Sequence, residues 1–544
     1  MQWGIGIYPA YVLSDGLGEA NREHGDGDEL YFAPEFNFDR QTAPMLFLHG
    51  DSDVYSSIGS VRLWEKMRSM GVQSELHTLA TRNHCFQKEA SPGTGSYTWL
   101  DRIGEFLDER LDDWWGHYTT PTDGQVLAKL DKWQDLKFGV IFHWGLYAIP
   151  GIVESWGVCA EDEAWQTNAR ENLGMSIEEF RHWYWGLDSQ MNPTAFDPSK
   201  WADIMKDAGM KYLVFTTKHH DGFCMFDSKY TDFKITNTPF GSDPRSNVTK
   251  EVFNAFREKD FMIGAYFSKP DWHCKDFWNP RFAAADRFQN YDRAKHPDWW
   301  RNYVDYTKNQ LGEITSGEYG NIDILWLDGG WITGSDIELG DVIKSARQRN
   351  PGLISVDRAC RGEFENYQTP ECEIPPAQFD FPWETCDVMA GWGWVKNPRY
   401  KSSSAIIANL IEVVAKGGNY LLGVGPKPDG TIDNEAARIL HSVGDWMRKY
   451  GDAIYCTRIT NNYHQGNVWF TAGKDGRTLN AIWAYKEGSV PQTVEWHGNI
   501  PSGKMTLLST GKAVRYKVEG DKVIVTLPKN MPAESFALRF TTAL

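Results

Sequence analysis

Asp328 follows the mostly apolar segment Ile322–Leu327 and precedes Gly329 and Gly330. A short apolar run of this kind indicates a buried strand, and glycines after a strand let another molecule approach the backbone closely. A carboxylate in this position can attack the anomeric carbon of a sugar and form a covalent intermediate. An aspartate after a strand also commonly caps the next helix. Asp328 alone therefore does not decide between a nucleophile and a helix cap.

Polar and aromatic side chains also follow other predicted strands at the equivalent place. They are His143 and Trp144, then Lys218, His219, His220 and Asp221, then Tyr266, Lys269 and Asp271, and finally Asp357 and Arg358. In a (β/α) barrel the carboxyl ends of the strands surround the active site. So many polar and aromatic groups at strand ends are typical of a sugar pocket, and they favour the catalytic interpretation of Asp328.

Glycoside hydrolysis needs a second carboxyl group, which lies about 5 Å from the first in retaining enzymes. The candidates are Glu363, Glu365, Glu371, Glu373 and Glu384. All lie in segment 361–394, which the sequence predicts to be a long loop, and loops of that length are commonly functional. Burial beside aromatic residues would raise the pKa of a glutamate towards neutrality, as a general acid requires. Each candidate could equally be a solvated loop residue, so the residues alone leave the choice open.

His219 and His220 are the clearest candidates for metal ligands. Adjacent residues of a strand point to opposite faces, and no third ligand follows with the spacing typical of zinc sites. Hydrogen bonds to sugar hydroxyls are the favoured role, and one of the two histidines could be purely structural. We therefore predict no metal and no cofactor.

Three regions must position these residues. Residues 1–118 alternate strands with helices, which predicts a parallel sheet, and the turn-rich segment Tyr118–Gly124 separates them from the rest. Residues 125–450 repeat short apolar strands and amphipathic helices, which predicts a (β/α)8-like TIM barrel. A doubly wound sheet is the alternative, but no glycine-rich loop follows its first strand, Gly139–His143. Residues 454–544 read as short strands between turns and predict a β-sandwich.

The predicted strands of the barrel are Gly139–His143, Tyr212–Lys218, Met262–Phe267, Ile322–Leu327, Leu353–Asp357 and Tyr420–Val424. The predicted barrel helices are Trp201–Ala208, Lys250–Glu258, Asp298–Leu311 and Ser403–Ala415.

The bulk composition excludes several function classes. A net charge of −17 disfavours binding to nucleic acids or to anionic membranes. No apolar run of about 18 residues predicts a membrane span, and the first residues do not read as a signal peptide, so a bacterial cytoplasm and a periplasm both fit. The eight cysteines are scattered without a CxxC pair, which predicts free thiols.

Eight motifs in a fixed order carry a resemblance to a known family. They are Lys137–Tyr147, Phe196–Trp201, Ala208–Tyr212, Lys218–Phe223, Leu325–Gly329, Trp383–Cys386, Gly417–Leu422 and Gly425–Gly430. Residues 125–544 resemble the α-L-fucosidases of glycoside hydrolase family 29. The resemblance implies a barrel followed by a β-sandwich, a fucosylated glycan as substrate, and hydrolysis with retention of configuration.

The resemblance also implies roles for single residues. It makes Asp328 the nucleophile and places Arg358 beside it. The residues that it assigns to the fucose pocket are His143, His219, His220, Tyr266 and Trp326, with Trp156 in a looser match. The position of the acid/base residue varies in the family, so Glu371 and Glu384 both fit. Glu371 is preferred, because its separation from Asp328 resembles that of members with shorter loops.

Residues 1–118 resemble the C-terminal part of an α/β-hydrolase of the carbohydrate-esterase kind. In that resemblance Asp53 is the triad acid and His84 the triad base, but the chain contains no G-x-S-x-G nucleophile elbow. We therefore predict no esterase activity. The sheet would be incomplete and its edge exposed, so this region is expected to pack on the barrel or on another copy of the chain. A catalytically silent fucose-binding protein and a sugar esterase are the two other hypotheses.

Overall fold

The computed structural model describes residues 118–542, except 161–169, 285, 486, 487 and 489, together with five short strands and the helical residues Trp64 and Arg68 before them. The chain divides into two units, Met1–Gly116 and His117–Leu544.

The first unit contains a small parallel sheet. Its described strands are β1 Gly4–Ile7, β2 Leu13–Ser14, β3 Tyr31–Phe32, β4 Met45–Gly50 and β5 Ser74–Leu79. β4 lies between β1 and β5 and is parallel to both, whereas β2 and β3 form an antiparallel pair. The predicted parallel pairing is therefore present. The predicted triad residues Asp53 and His84 lie outside the described residues, and so does segment 97–111, which the sequence predicts to be a helix.

A curled sheet of seven parallel strands forms the centre of the second unit. The strands are β6 Phe138–Phe142, β7 Tyr212–Lys218, β8 Met262–Ser268, β9 Ile324–Asp328, β10 Ile354–Asp357, β11 Glu384–Val388 and β12 Asn419–Gly423. Their order in the sheet is β10-β9-β8-β7-β6-β12-β11. Six of the seven match the strands predicted from the sequence. The seventh, β11, lies in the segment that the sequence predicts to be a loop.

Helices alternate with these strands, and all but the first, which packs against the inner core, lie outside the sheet. They are α1 Gly124–Leu136, α2 Ile177–Trp185, α3 Pro198–Asp207, α4 Val248–Arg257, α5 Pro297–Ile314, α6 Leu339–Arg349, α7 Ser403–Ala415 and α8 Asn434–Tyr450. Several begin at an N-cap side chain, as Asp123 does for α1 and Ser402 for α7, because an oxygen there accepts a free backbone N–H. Within the described residues, no helix is both long and apolar enough to cross a membrane.

A separate inner core fills the curled sheet. It consists of Val126, Leu130, Trp133, Ile141, Tyr212, Val214, Met262, Tyr266, Ile324, Trp326, Ile354, Val356, Tyr367, Cys386 and Leu421. Most of these are alternate residues of neighbouring strands, as expected for the inward face of a barrel-like sheet. Three come from α1, so this helix packs against the inner core.

The segment after β10 connects the two edge strands of the sheet. The Asn366 N–H donates to the Ser355 carbonyl of β10 at 2.9 Å. On the other side, the Glu384 N–H donates to the Gln368 carbonyl at 2.8 Å, and Glu371 forms a parallel bridge with Cys386 of β11. The connection carries the chain to Glu371 beside β11.

Antiparallel strands follow α8, as the sequence predicts. They are β13 Thr457–Arg458, β14 His464–Gln465, β15 Val468–Gly473, β16 Thr478–Trp483, β17 Thr493–His497, β18 Thr506–Leu507, β19 Arg515–Glu519, β20 Lys522–Thr526 and β21 Phe536–Thr541. They form a six-stranded sheet and the three-stranded sheet β17-β20-β19. Trp496 of the smaller sheet contacts Phe470 and Phe540 of the larger one, with ring centroids 5.5 and 5.9 Å apart.

The cysteines in the described residues are free thiols, as predicted. They are Cys159, Cys224, Cys274, Cys360, Cys372, Cys386 and Cys456. Cys85 lies outside the described residues.

Gly222, in the loop after β7, is expected to tolerate no side chain. Its φ is +79°, and an added Cβ would lie 2.2 Å from the Oδ1 of Asp271. Asp271 is buried and cannot move freely, because it pairs with the ammonium group of Lys218 at 3.0 Å. We expect Gly222→Ala to lower the free energy of unfolding by about 2–4 kcal/mol, since backbone strain and overpacking add. Urea denaturation measures this.

Gly174→Ala is the matched control for that substitution. Gly174 has a φ of +66°, but an added Cβ there meets no atom of the described residues within 4 Å. Gly174→Ala should therefore lower the free energy of unfolding only by the cost of the backbone conformation, about 1 kcal/mol. Equal destabilisation by the two substitutions would contradict the predicted clash at Gly222.

Candidate active site

A pocket of about 520 Å³ opens at the carboxyl ends of the parallel strands. The predicted site residues that line it are His143, Trp156, His219, His220, Tyr266, Trp326, Asp328, Arg358 and Glu371. The curvature of the sheet brings them together, because they come from strand ends and loops far apart in the chain. Of the predicted site residues, only Glu384 does not line this pocket.

Asp328 ends β9 and is held by three side chains. The Tyr266 hydroxyl donates to its Oδ2 at 2.6 Å, and Nη1 of Arg358 donates to its Oδ1 at 3.2 Å. The Nε2 of His220 lies 3.5 Å from Oδ2. Burial opposes ionisation of Asp328. Arg358 has the largest opposing effect, followed by His220 and by the hydrogen bond from the Tyr266 hydroxyl, and together they hold the pKa of Asp328 well below its usual range. Asp328 is therefore an ionised carboxylate with fixed orientation.

Arg358 joins the two candidate carboxylates of the pocket. Its Nη1 contacts Asp328, and its Nη2 donates to Oε2 of Glu371. The other oxygen of Glu371 accepts from the indole N–H of Trp392 at 3.2 Å. The Glu371 side chain is 43% exposed, whereas that of Asp328 is 15% exposed. The pocket thus pairs a shielded carboxylate with a second one open to solvent.

Glu384 lies at the beginning of β11, inside the sheet and away from the pocket lining. It is fully buried, and its two oxygens accept hydrogen bonds from the Tyr212 hydroxyl at 2.6 Å and the Trp326 indole at 3.3 Å. Val388, at the other end of the same strand, does line the pocket. The structure therefore brings Glu371 to Asp328 and leaves Glu384 in the inner core.

Glu154 lines the pocket but was not a candidate in the sequence. Its Oε1 lies 3.7 Å from Nε2 of both His143 and His219. Burial, then the charges of Glu371 and Asp328, raise its pKa well above the usual range. Its only signal in the sequence is its place two residues before Trp156, in the loop after β6. The fold alone brings it to the histidines.

The three histidines of the pocket are neutral at physiological pH. Burial lowers the pKa of His143 and His219 well below the usual value and lowers that of His220 to about 4. The Nδ1 of His219 is 2.5 Å from the Ser155 hydroxyl, which fixes the ring. Neutral imidazoles can both accept and donate hydrogen bonds, so they suit the hydroxyl groups of a sugar.

His143, Glu154 and His219 form a cluster of three possible metal ligands, which includes only one of the two histidines considered from the sequence. One ligand atom from each lies within 4.8 Å of the others. A divalent cation could occupy this position, and so could a hydroxyl group that bonds to all three. The neutral imidazoles and the buried carboxyl group fit the hydroxyl without any change of protonation.

Aromatic rings surround His220, and two of them, Trp156 and Trp331, line the pocket. Trp156, Trp272 and Trp331 each lie with ring centroids 5.0–5.1 Å from the His220 ring. Trp326 stacks on Tyr266 at 5.3 Å. Flat apolar surfaces of this kind pack against the C–H faces of a sugar ring and exclude water from the bond that reacts.

Removal of the Tyr266 hydroxyl is expected to shift the pH dependence of the reaction. This hydroxyl is one of the groups that lower the pKa of Asp328, so Tyr266→Phe should raise that pKa. The predicted nucleophilic role of Asp328 needs the ionised carboxylate, so we expect activity to be lost at a higher pH on the acid side than in the wild type. We also expect kcat to fall about 10–100-fold. Profiles of kcat/KM against pH measure both effects.

Tyr147→Phe is the control for Tyr266→Phe. The Tyr147 hydroxyl is also buried but has no hydrogen-bond partner within the described residues. Tyr147→Phe should therefore leave the acid limb of the pH profile where it lies in the wild type. An unchanged acid limb in Tyr266→Phe would contradict the assigned role of its hydroxyl.

Most of this chain is similar to known proteins. The family model for alpha-L-fucosidase matches residues 109–452. The alpha-L-fucosidase of Dictyostelium discoideum is 26% identical over 458 residues, which cover 77% of this chain and 95% of that protein. The match of the family model begins at residue 109, so it gives no support to the resemblance of residues 1–118 to an α/β-hydrolase.

Solved structures give the same relationship. Alpha-L-fucosidase isoenzyme 1 from Paenibacillus thiaminolyticus has a TM-score of 0.65 and 29% identity, covering 77% of this chain and 99% of that one. The Thermotoga maritima alpha-fucosidase in complex with fucose has a TM-score of 0.62 and 25% identity, covering 78% and 97%. Because the family model matches more than half of the length of this chain, the chain belongs to the alpha-L-fucosidase family of glycoside hydrolases.

Proposed function

We propose that this enzyme is a retaining exo-α-L-fucosidase that releases terminal α-L-fucose from glycans by double displacement. Asp328 is the nucleophile and Glu371 is the acid/base residue. The observation that carries the proposal is the single guanidinium of Arg358, which contacts both carboxylates in one pocket. A short separation of the two carboxyl groups is what a retaining mechanism needs.

The surroundings of the two carboxylates support this division of roles. A nucleophile must stay ionised and must not move, and Asp328 has a lowered pKa and three side-chain partners. An acid/base residue must exchange protons with the leaving group and with water, and Glu371 is the more exposed of the two. In the first step Asp328 forms a bond to the anomeric carbon while Glu371 protonates the departing oxygen. In the second, Glu371 removes a proton from a water that displaces Asp328.

The neutral cluster of the pocket suits the hydroxyl groups of fucose. We propose that His143, Glu154 and His219 bind one edge of the sugar and that His220 and Trp156 bind another. Trp326 and Tyr266 then provide the apolar floor. The structure of the Thermotoga maritima enzyme in complex with fucose supports a monosaccharide in such a pocket.

Domain boundaries and the closure of the barrel also belong to this proposal. We propose an N-terminal region 1–118 without esterase activity, a catalytic (β/α)8-like barrel 125–450, and a β-sandwich 454–544. Segment 366–371, which hydrogen-bonds to both edge strands, completes the ring in this proposal. Trp496, which contacts both antiparallel sheets, supports the sandwich.

The test is hydrolysis of 4-nitrophenyl α-L-fucoside by the full-length chain, followed by proton NMR. We expect turnover, with α-L-fucose as the first sugar to appear before mutarotation. β-L-Fucose as the first product would overturn the retaining mechanism. Binding of fucose without turnover would show a silent binding protein instead.

A further inference from the structure

Glu384 is a buried acid that the proposed reaction does not use. It begins β11, at the end of the strand opposite to the pocket, and its exposure is 0%. It faces the inner core, where Trp133 of α1 stacks on Tyr367 at 4.0 Å. An acid in such a place normally destabilises a protein unless its hydrogen bonds are satisfied.

Both oxygens of Glu384 have a donor. Oε2 accepts from the Tyr212 hydroxyl of β7 at 2.6 Å, and Oε1 accepts from the Trp326 indole of β9 at 3.3 Å. The titratable groups that face Glu384 are the hydroxyls of Tyr212 and Tyr367 and the thiol of Cys386, and burial raises the pKa of all three. Burial also raises the pKa of Glu384 to about 8.

Trp326 connects this acid to the pocket. Its ring stacks on Tyr266 with centroids 5.3 Å apart, and the guanidinium of Arg358 lies 5.5 Å from its centre. These two neighbours are the side chains that donate hydrogen bonds to Asp328. A rotation of the indole would therefore displace both donors of the nucleophile.

We propose that Glu384 is a positioning residue that fixes the indole of Trp326 and, through it, the Tyr266 and Arg358 donors around Asp328. The inference rests on the proposed role of Asp328 as nucleophile. One hydrogen bond at the indole N–H sets the rotation of the ring in its plane, which stacking alone does not. The second bond, to Tyr212, fixes the carboxyl group itself. Glu384 thus acts from the inner core and touches no substrate.

The experiment compares the full-length wild type with Glu384→Gln, Glu384→Met, Trp326→Phe and the Glu384→Met/Trp326→Phe double variant. Glutamine keeps an acceptor for the indole and a polar atom for Tyr212, whereas methionine has a similar volume and keeps neither. We expect Glu384→Gln to retain kcat for an aryl α-L-fucoside within about threefold. Glu384→Met should lower kcat about tenfold or more with a smaller change in KM. This is the result expected when the Tyr266 and Arg358 groups that donate hydrogen bonds to Asp328 are displaced in the transition state.

The double variant tests whether the effect passes through Trp326. Without the indole N–H, Glu384 no longer forms a hydrogen bond to residue 326, so Glu384→Met should add less than about twofold to the loss caused by Trp326→Phe. Additive losses would overturn the inference, and so would a Glu384→Met variant with wild-type kcat. Should Glu384→Met fail to fold, Trp326→Phe decides alone: a kcat equal to that of the wild type would overturn the inference.

Two further results separate this inference from the proposed function. A wild-type chain that does not hydrolyse the fucoside contradicts the proposed function, whatever the variants do. A Glu384→Gln variant that loses activity only on substrates with poor leaving groups would make Glu384 the general acid and would overturn both the inference and the assignment of Glu371.

Discussion

Replacement of Asp328 by glycine is expected to lower the turnover of an aryl α-L-fucoside by about 10³-fold or more, because no covalent intermediate can form without the carboxylate. Sodium azide should restore part of the activity. Glycine leaves space beside Arg358 and Tyr266, which both donate to the missing carboxylate in the wild type and can hold a small anion in its place. The measurement is kcat with increasing azide concentration.

The configuration of the azide product identifies the role of Asp328. Azide that takes the place of the nucleophile attacks the face opposite to the leaving group once only, so the product should be β-L-fucosyl azide. Asp336→Asn is the control, since Asp336 lies in the loop after β9 and pairs with Arg293 outside the pocket lining. It should keep nearly full activity without azide. Normal turnover in Asp328→Gly would remove Asp328 from the mechanism.

The sequence predicts the strands that carry apolar runs and fails for the one that does not. The six strands of the parallel sheet that the sequence predicts are mostly apolar, which is the pattern of strands buried on both faces. β11 contains Glu384, Thr385 and Asp387 and reads as a loop. These polar groups are buried because the fold supplies partners from other elements. Asp387, for example, pairs with Lys401 and accepts from the Tyr420 hydroxyl at 2.7 Å.

The same strand, β11, explains why the residues alone do not decide whether Glu371 or Glu384 is the acid/base residue. A strand rises about 3.3 Å per residue, so Glu384 lies about 13 Å from Val388 at the carboxyl end. Glu384 is the first residue of β11 and the pocket lies at the last residue of the strand, so the strand keeps Glu384 far from the pocket. In a loop, no such distance follows from the sequence. Glu371, by contrast, reaches the carboxyl end through its bridge with Cys386.

Residues at strand ends are predictable, whereas residues from loops depend on the complete fold. His143, His219, Tyr266, Asp328 and Arg358 follow from the position of each strand end. Glu154 and Trp392 come from loops after β6 and β11, and their contacts with pocket residues have no local signature. The roles of all these residues stay predictions, because the structure shows their placement and not their chemistry.

Replacement of Glu371 by alanine is expected to affect substrates according to their leaving group. A sugar needs a proton as it departs, so kcat/KM for a fucosylated oligosaccharide should fall about 10²–10⁴-fold. A nitrophenolate departs without a proton, so formation of the fucosyl-enzyme from a nitrophenyl fucoside should change far less. Hydrolysis of that intermediate still needs a general base and should become the slow step. Stopped-flow release of nitrophenolate should therefore show a burst, and steady-state kinetics on both substrates give the ratio.

Azide distinguishes the acid/base role of Glu371 from a merely structural one. In Glu371→Ala the nucleophile is still present, so azide attacks the fucosyl-enzyme in a second displacement and the product should be α-L-fucosyl azide, opposite to that of Asp328→Gly. Glu373→Ala is the matched control, because Glu373 is exposed, lies two residues away and does not line the pocket. It should resemble the wild type on both substrates. Equal losses on both substrates in Glu371→Ala, without acceleration by azide, would show that this carboxyl group only holds Arg358 in place and that the proton comes from another residue.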